Sequence, residues 1–352
     1  MTTFVQLHLL TSYPPACLNR DDLNRPKTAV MGGVPRLRVS SQSLKRAWRT
    51  SDQFEAAMKN HMGTRTKRMG VQVYERLTKA GVKEKAAMDW AQTIAAKFGA
   101  LKAKKEDKPL NDLEIEQLAH FSPEEETAIS TLVEKLANDN RKPTDEELNL
   151  LRKEHTAADI ALFGRMLASS PGYNTEAACQ VAHAITVHRA AVEDDYFTAV
   201  DDLNTREVDA GSAHIGEQGF GAGLFYLYVC IDRDLLEENL GGDAALTEKA
   251  IKALIDAAAT VAPTGKQNSF ASRASAFYVL AEKGSRQPRS LSLAFMKPVK
   301  DGDMLSDAVT ALESMCSNMD KVYYAGQALP SKHINAVAGE GDFKTLLDFA
   351  AK

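Results

Sequence analysis

From about residue 53 to 170 the pattern is helical, and strand-like sequence resumes afterwards, near 181. More than a hundred residues cannot be a structureless connection inside a compact domain. The chain is therefore expected to fold as a sheet-bearing domain carrying a large helical insertion. Within 82–101, Met88, Ala91, Ala95 and Phe98 recur at helical spacing. Ser122-Pro123-Glu124-Glu125 is a capping box with proline in the first helical position, and it opens a helix to about Asn138. Thr144-Asp145-Glu146-Glu147 is a second box, expected to open a helix to about Lys153. The charged linkers 102–107 and 139–142 are expected at the surface.

Outside the insertion the chain alternates between strands and helices. Residues 3–10 read as a first, central strand, and 11–35 as one long connection rich in turn formers. Long ordered loops in compact domains are usually functional. Gly32-Gly33 suits a turn, or the close approach of a nucleic-acid backbone. Residues 181–188 fit strand or helix and are taken as a strand; 197–200 is strand-like. The glycine-rich tracts 211–216 and 219–223 read as loops, and 224–231 is the clearest strand. An alanine-rich helix spans 244–262, strands 275–281 and 289–295, and helices 304–319 and 343–349. The order β, α, insertion, β, protruding segment, β, α, β matches a ferredoxin-like, RRM-like sheet. The expected fold class is α+β: an RRM-like core, a large helical insertion and a projecting β-hairpin. The expected parts are 1–58, 59–180 and 181–352, with the hairpin at 193–223.

Residues 36–49 read as strand, serine-rich turn and helix. Alternation directs Leu37 and Val39 one way, Arg36 and Arg38 the other. Ser40 or Ser41 suits the N-cap. At about 100° per residue, Leu44, Ala47, Trp48 and Ser51 share one helix face, and Gln42, Lys45, Arg46 and Arg49 the other. A cationic platform beside a helix N-terminus suits a phosphate backbone. A solvated basic face is the plain alternative.

The formal net charge of −4 is unusual for a nucleic-acid binder. The charge is unevenly placed, however. Between 20 and 49 lie Arg20, Arg25, Lys27, Arg36, Arg38, Lys45, Arg46 and Arg49, against Asp21 and Asp22. Local charge decides binding, because salt screens beyond about 8 Å. The cysteines (Cys17, Cys179, Cys230, Cys316) form no CxxC, which argues against a zinc ribbon and fits a reducing cytoplasm. No apolar run approaches the roughly 20 residues that span a membrane.

Catalytic patterns are mostly missing. Ser41 and Lys45 are four apart, not three. The glycines at 219–223 lack the third glycine of a dinucleotide fingerprint and precede a strand. Gly265-Lys266 lacks the upstream glycine of a phosphate loop. His183 and His188 are poorly spaced for one metal and read as ordinary hydrogen-bonded histidines. Asp21-Asp22, Asp194-Asp195 and Asp201-Asp202 are acidic pairs; such pairs can hold Mg²⁺ with substrate phosphates, and more often are solvated turns. Asp21-Asp22 stands out for its place beside the basic patch.

The motifs at 17–22, 40–47, 182–186, 197–203 and 211–216 resemble the CasC family. That family is the guide-RNA-binding backbone subunit of the type I-E CRISPR Cascade surveillance complex. The likeness covers the first fifty residues closely and 155–240 well. It is weak in the helical insertion and the C-terminal third. It implies a hand: an RRM-like palm, helical fingers and a thumb hairpin. Copies would stack head to tail along one CRISPR RNA, with target DNA pairing to the guide, beside other Cascade subunits. The family's phosphate contacts fall on Arg20, Lys27, Ser40, Gln42, Lys45, Arg46 and Arg49. Its base-displacing residues fall on Met166, Phe197, Thr198, Val200 and Ile215. By its sequence alone, Met166 following Ala161-Leu162-Phe163 would be a core residue. In this family the backbone subunit is not a nuclease, so no catalytic residue is expected; no cofactor, metal or membrane is expected either, and the expected setting is cytoplasmic. The competing expectations are a metal-dependent ribonuclease using Asp21 and Asp22, and a protein-only scaffold.

Overall fold

The structure is a computed structural model that describes residues 2–105, 107–199, 214–300 and 302–352. The chain opens with β1 (Phe4–Ala16), β2 (Thr28–Met31), β3 (Val34–Val39), α1 (Ser41–Arg49) and α2 (Asp52–Ala57). The insertion supplies β4 (Thr64–Thr66), α3 (Met69–Lys79), α4 (Glu84–Ala95), β5 (Ala119–Phe121), α5 (Pro123–Asp139) and α6 (Ala158–Phe163). Then come β6 (Cys179–Val181), β7 (Ala184–Thr186), β8 (Glu193–Ala199), β9 (His214–Asp232), α7 (Arg233–Asn239) and α8 (Ala244–Thr260). The chain closes with α9 (Gln267–Phe270), β10 (Tyr278–Gly284), α10 (Met304–Tyr324), β11 (Ser331–Asn335) and α11 (Phe343–Ala351). The fold is mixed α+β.

Two compact units result. The first holds Met1–Phe54, Val181–Cys230 and Ile251–Lys352; the second holds Glu55–Gln180 and Ile231–Ala250. The main sheet runs β11-β10-β1-β9-β7-β3-β2. β1 pairs antiparallel with β10 from Phe4↔Gly284 to Leu10↔Tyr278. The core of the first unit gathers Leu10, Tyr226, Tyr278, Leu291, Phe295 and Leu312. These come from strands at the sheet centre, the segment after β10, and the inner face of α10.

In the second unit, α3, α4 and α5 bury Leu77, Trp90, Ile94, Leu132 and Leu136 around Phe121. The Ser122 box forms in full: Glu125 N–H donates to Ser122 Oγ at 3.2 Å, and Ser122 N–H donates to Glu125 Oε2 at 3.0 Å. Glu125 also meets Arg165 at 2.8 Å, with both side chains buried. The second box makes its reciprocal bonds, Glu147 to Thr144 and back, but no helix to Lys153 follows. The chain leaves after one turn because Leu150 and Leu151 are drawn into the core. The Arg152 N–H is then taken by Glu125 at 2.9 Å.

Several expected loops and strands change character. Within 11–35, β1 continues to Ala16, and β2 pairs with β3 across Gly32-Gly33. Of the tracts expected as loops, 211–213 lies outside the described residues, while 214–216 and 219–223 belong to β9, one strand of 19 residues. Its glycines are space-makers. A Cβ at Gly216 would collide with the Phe197 ring, and one at Gly223 would lie 3.2 Å from His188 Nε2. Residues 289–295 are not a strand either: a 3-10 turn covers Ser292–Phe295. The insertion also contains a short β4–β5 ladder that helical periodicity does not reveal.

Candidate nucleic-acid interface

The Ser40–Arg49 segment folds by local rules. Ser40, at φ −70° and ψ 148°, is the N-cap, and its Oγ accepts from Ser43 N–H at 3.4 Å. The cap is itself held: Ser40 N–H donates to Asn19 Oδ1 at 2.9 Å. Leu44, Ala47 and Trp48 are buried, as the helical period requires. Gln42 and Arg46 are exposed, and Lys45 and Arg49 half-buried. α1 contains no acid, and Arg46 and Arg49 sit in its last turn, where the helix dipole favours cations.

The 17–27 loop lies against this cap. Lys27 N–H donates to the Asn19 carbonyl at 2.8 Å. Asp21 Oδ1 accepts from Leu23 and Arg25 N–H, both at 2.9 Å, and so braces the loop. That is a structural use of Asp21. Among the described residues, the acidic and sulfur side chains near enough to share one ion are Glu282, Cys316 and Asp320. Arg289 already fills that place, 2.7 Å from Asp320 and 3.3 Å from Glu282. A guanidinium there supplies the positive charge a metal would bring.

Asn19 thus joins Lys27 to the Ser40 cap that opens α1, with Arg20 next to it in the chain. A concavity of about 330 Å³ is lined by Asn19, Arg20, Ser43 and Gly265. A second, of about 410 Å³, joins Arg20 to Phe197, Gln218 and Lys266. Lys266 Nζ donates to Gln218 at 2.8 Å. Its loop packs so closely that a Cβ at Gly265 would lie 2.7 Å from the Cys17 carbonyl oxygen. The sequence signal for Lys266 is Gly265-Lys266, which is no phosphate loop and so does not mark the residue by itself.

Arg36 leaves this group. Instead of standing beside Arg38 at the surface, it is wholly buried. Its guanidinium donates to the carbonyls of Met31 (3.3 Å), Thr186 (2.9 Å) and Phe295 (2.8 Å). Three backbone acceptors offset its desolvation, which strand alternation alone cannot foresee.

In the β8–β9 hairpin, Phe197 faces Gly216 and Thr198 faces Ile215. Every residue of β8 is exposed, including the acidic Glu193-Asp194-Asp195 run. Phe197 is 43% and Ile215 59% exposed. Val200 lies outside the described residues. Met166 is in the second unit and is no core residue: it is 77% exposed, next to a small concavity it shares with Leu118.

The family model for CT1975-like proteins matches residues 5–346. The chain belongs to the CT1975-like protein family. One solved relative of this CT1975-like chain is a chain of a CRISPR RNA-guided surveillance complex, pre-nicking. It is 29% identical, with a TM-score of 0.84 and 99% of each chain covered. A chain of another CRISPR RNA-guided surveillance complex is 24% identical, at TM-score 0.73 and 99% coverage of each, and shares the fold. No curated protein matches. Among the described residues, no helix of the CT1975-like chain is long and apolar enough to cross a membrane.

Proposed function

We propose that this chain is a guide-RNA-binding backbone subunit of a type I-E CRISPR Cascade, of the CasC kind. Copies of it polymerise along a CRISPR RNA and present the guide to a target DNA strand, beside other Cascade subunits in the cytoplasm. The observation that carries the reading is the acid-free α1 face. Gln42, Lys45, Arg46 and Arg49 follow the Ser40 cap, with Arg20 and Lys27 beside it. A filament must grip every stretch of guide alike, and phosphate contacts bind without base preference. Sequence reading is then left to base pairing.

The RRM-like palm is supported by strand order. With β1, β7, β9 and β10 taken as first to fourth strands, the sheet order β10-β1-β9-β7 is the ferredoxin-like 4-1-3-2. The insertion serves as fingers and the β8–β9 hairpin as the thumb. Met166, Phe197, Thr198, Val200 and Ile215 displace bases. The subunit is not an enzyme: Asp21 is used as a loop brace, which supports binding over cleavage.

The test is Lys45→Ala with Arg49→Ala. RNA binding should weaken about equally for unrelated sequences, and the salt slope should fall by roughly one for each phosphate that is no longer neutralised. Weakening confined to one sequence, or an unchanged slope, overturns the reading. Sequencing RNA that co-purifies should return CRISPR guides.

A further inference from the structure

Arg38 follows buried Arg36 on the same face of β3, and its own side chain is only half-buried. The Arg38 Nη1 lies 2.8 Å from Nδ1 of His183, a residue 145 positions away on the approach to β7. An arginine only donates, so Nδ1 accepts and the imidazole proton sits on Nε2. Arg38 N–H also donates to the Lys27 carbonyl at 2.8 Å, which brings the Lys27 backbone alongside. All three residues belong to the first unit. His183 is exposed, and Arg38 and Lys27 half-buried. The charged groups acting on the ring are Arg38, from β3, and Lys27, from the loop before β2; both are cations. Partial burial, then these two cations, hold the imidazole below its ordinary range. Among the described residues, the charges acting on this ring are cations alone, which favours an anion there.

We propose that Arg38 and His183, with Lys27, form an anion subsite that takes one phosphodiester of the RNA backbone, and that filling it places a proton on His183. The proposal rests on the RNA-binding reading above. Neutral His183 spends Nδ1 on Arg38. Once protonated, Nδ1 carries a hydrogen and can no longer accept, so the Arg38–His183 bond opens. Both groups then donate to the phosphate. Two adjacent cations are tolerated only with an anion between them, so binding and proton uptake from the medium are linked. His183 is thus a pH-dependent ligand and a positioning residue for Arg38.

The test follows binding of a short fluorescent oligouridylate to the full chain from about pH 8 to about pH 5.5. Wild-type affinity should rise as pH falls, by up to about tenfold per pH unit, the limit for one linked proton. His183→Gln keeps an acceptor for Arg38. Its affinity should no longer rise as pH falls. Arg38→Gln should lower the salt slope by about one. Full pH dependence in His183→Gln together with an unchanged slope in Arg38→Gln overturns the subsite and leaves the RNA reading standing. If the chain binds no RNA, the His183 ring resonance, assigned by its loss in His183→Gln, is titrated with inorganic pyrophosphate. A pKa raised by pyrophosphate keeps the subsite while the RNA reading falls; an unmoved pKa overturns the subsite.

Discussion

Arg36 reaches the backbone carbonyl of Phe295 across 259 residues of sequence, at 2.8 Å and fully buried. It ties β3 to the turn that follows β10. Arg36→Met keeps much of the volume and strands three carbonyls. The expected loss is about 2–4 kcal/mol in urea unfolding. RNA affinity per folded molecule should not change, because Arg36 does not face the α1 platform. A loss below about 0.5 kcal/mol would contradict this account.

Gly32 and Gly33 both have positive φ, 62° and 77°, as the tight β2–β3 turn demands. Their surroundings differ. A Cβ at Gly32 would collide with the Met296 carbonyl, while Gly33 has open space. Gly33→Ala should cost about 1 kcal/mol of backbone strain, and Gly32→Ala at least about 2 kcal/mol. Equal thermal shifts for the two variants would rule out the close approach as the cause.

His8 is buried between Tyr226 (2.9 Å) and Glu282 (3.1 Å). Burial outweighs Glu282 and holds its imidazole below the ordinary 6.5. As pH falls through 6.5 the unfolded chain takes the proton first, so this stability is present above 6.5 and lost below it. Burial acts on His155 in the same sense. His8→Gln should flatten the decline in unfolding free energy between about pH 7 and about pH 5.5. Stability that instead rises as pH drops would identify a charged His8 paired with Glu282.

Phe197 lies over Gly216, half open to solvent. On the proposed function its ring wedges between guide bases, at a stacking value of about 1–3 kcal/mol per base. Phe197→Ala should leave the unfolding free energy within about 0.5 kcal/mol of wild type. In the assembled complex, target DNA with tiled single mismatches should be tolerated at regular intervals along the guide. Wild-type tolerance without periodicity would sink the wedge.

Local chemistry determined much of this protein by itself. The Ser40 cap, the Leu44/Trp48 and Gln42/Arg46 faces of α1, and the Ser122 box opening α5 depend on residues within a few positions of one another. Such signals survive in sequence because their partners are adjacent. The long apolar run of β9 at 224–231 was legible for the same reason. Four features were decided by tertiary structure. Arg36 turned inward because Thr186 and Phe295 offered carbonyls. The glycine tract joined β9 because Phe197, Leu37 and Thr186 occupy the space side chains would need. The Thr144 box stopped after one turn because Leu150 and Leu151 had a core to enter. Lys266 came beside Arg20 because Gly265 packs on the Cys17–Leu18 backbone. In each case the deciding atom belongs to a residue distant in sequence or to a packed core. Periodicity records which face a residue occupies, whereas only packing decides what waits on that face.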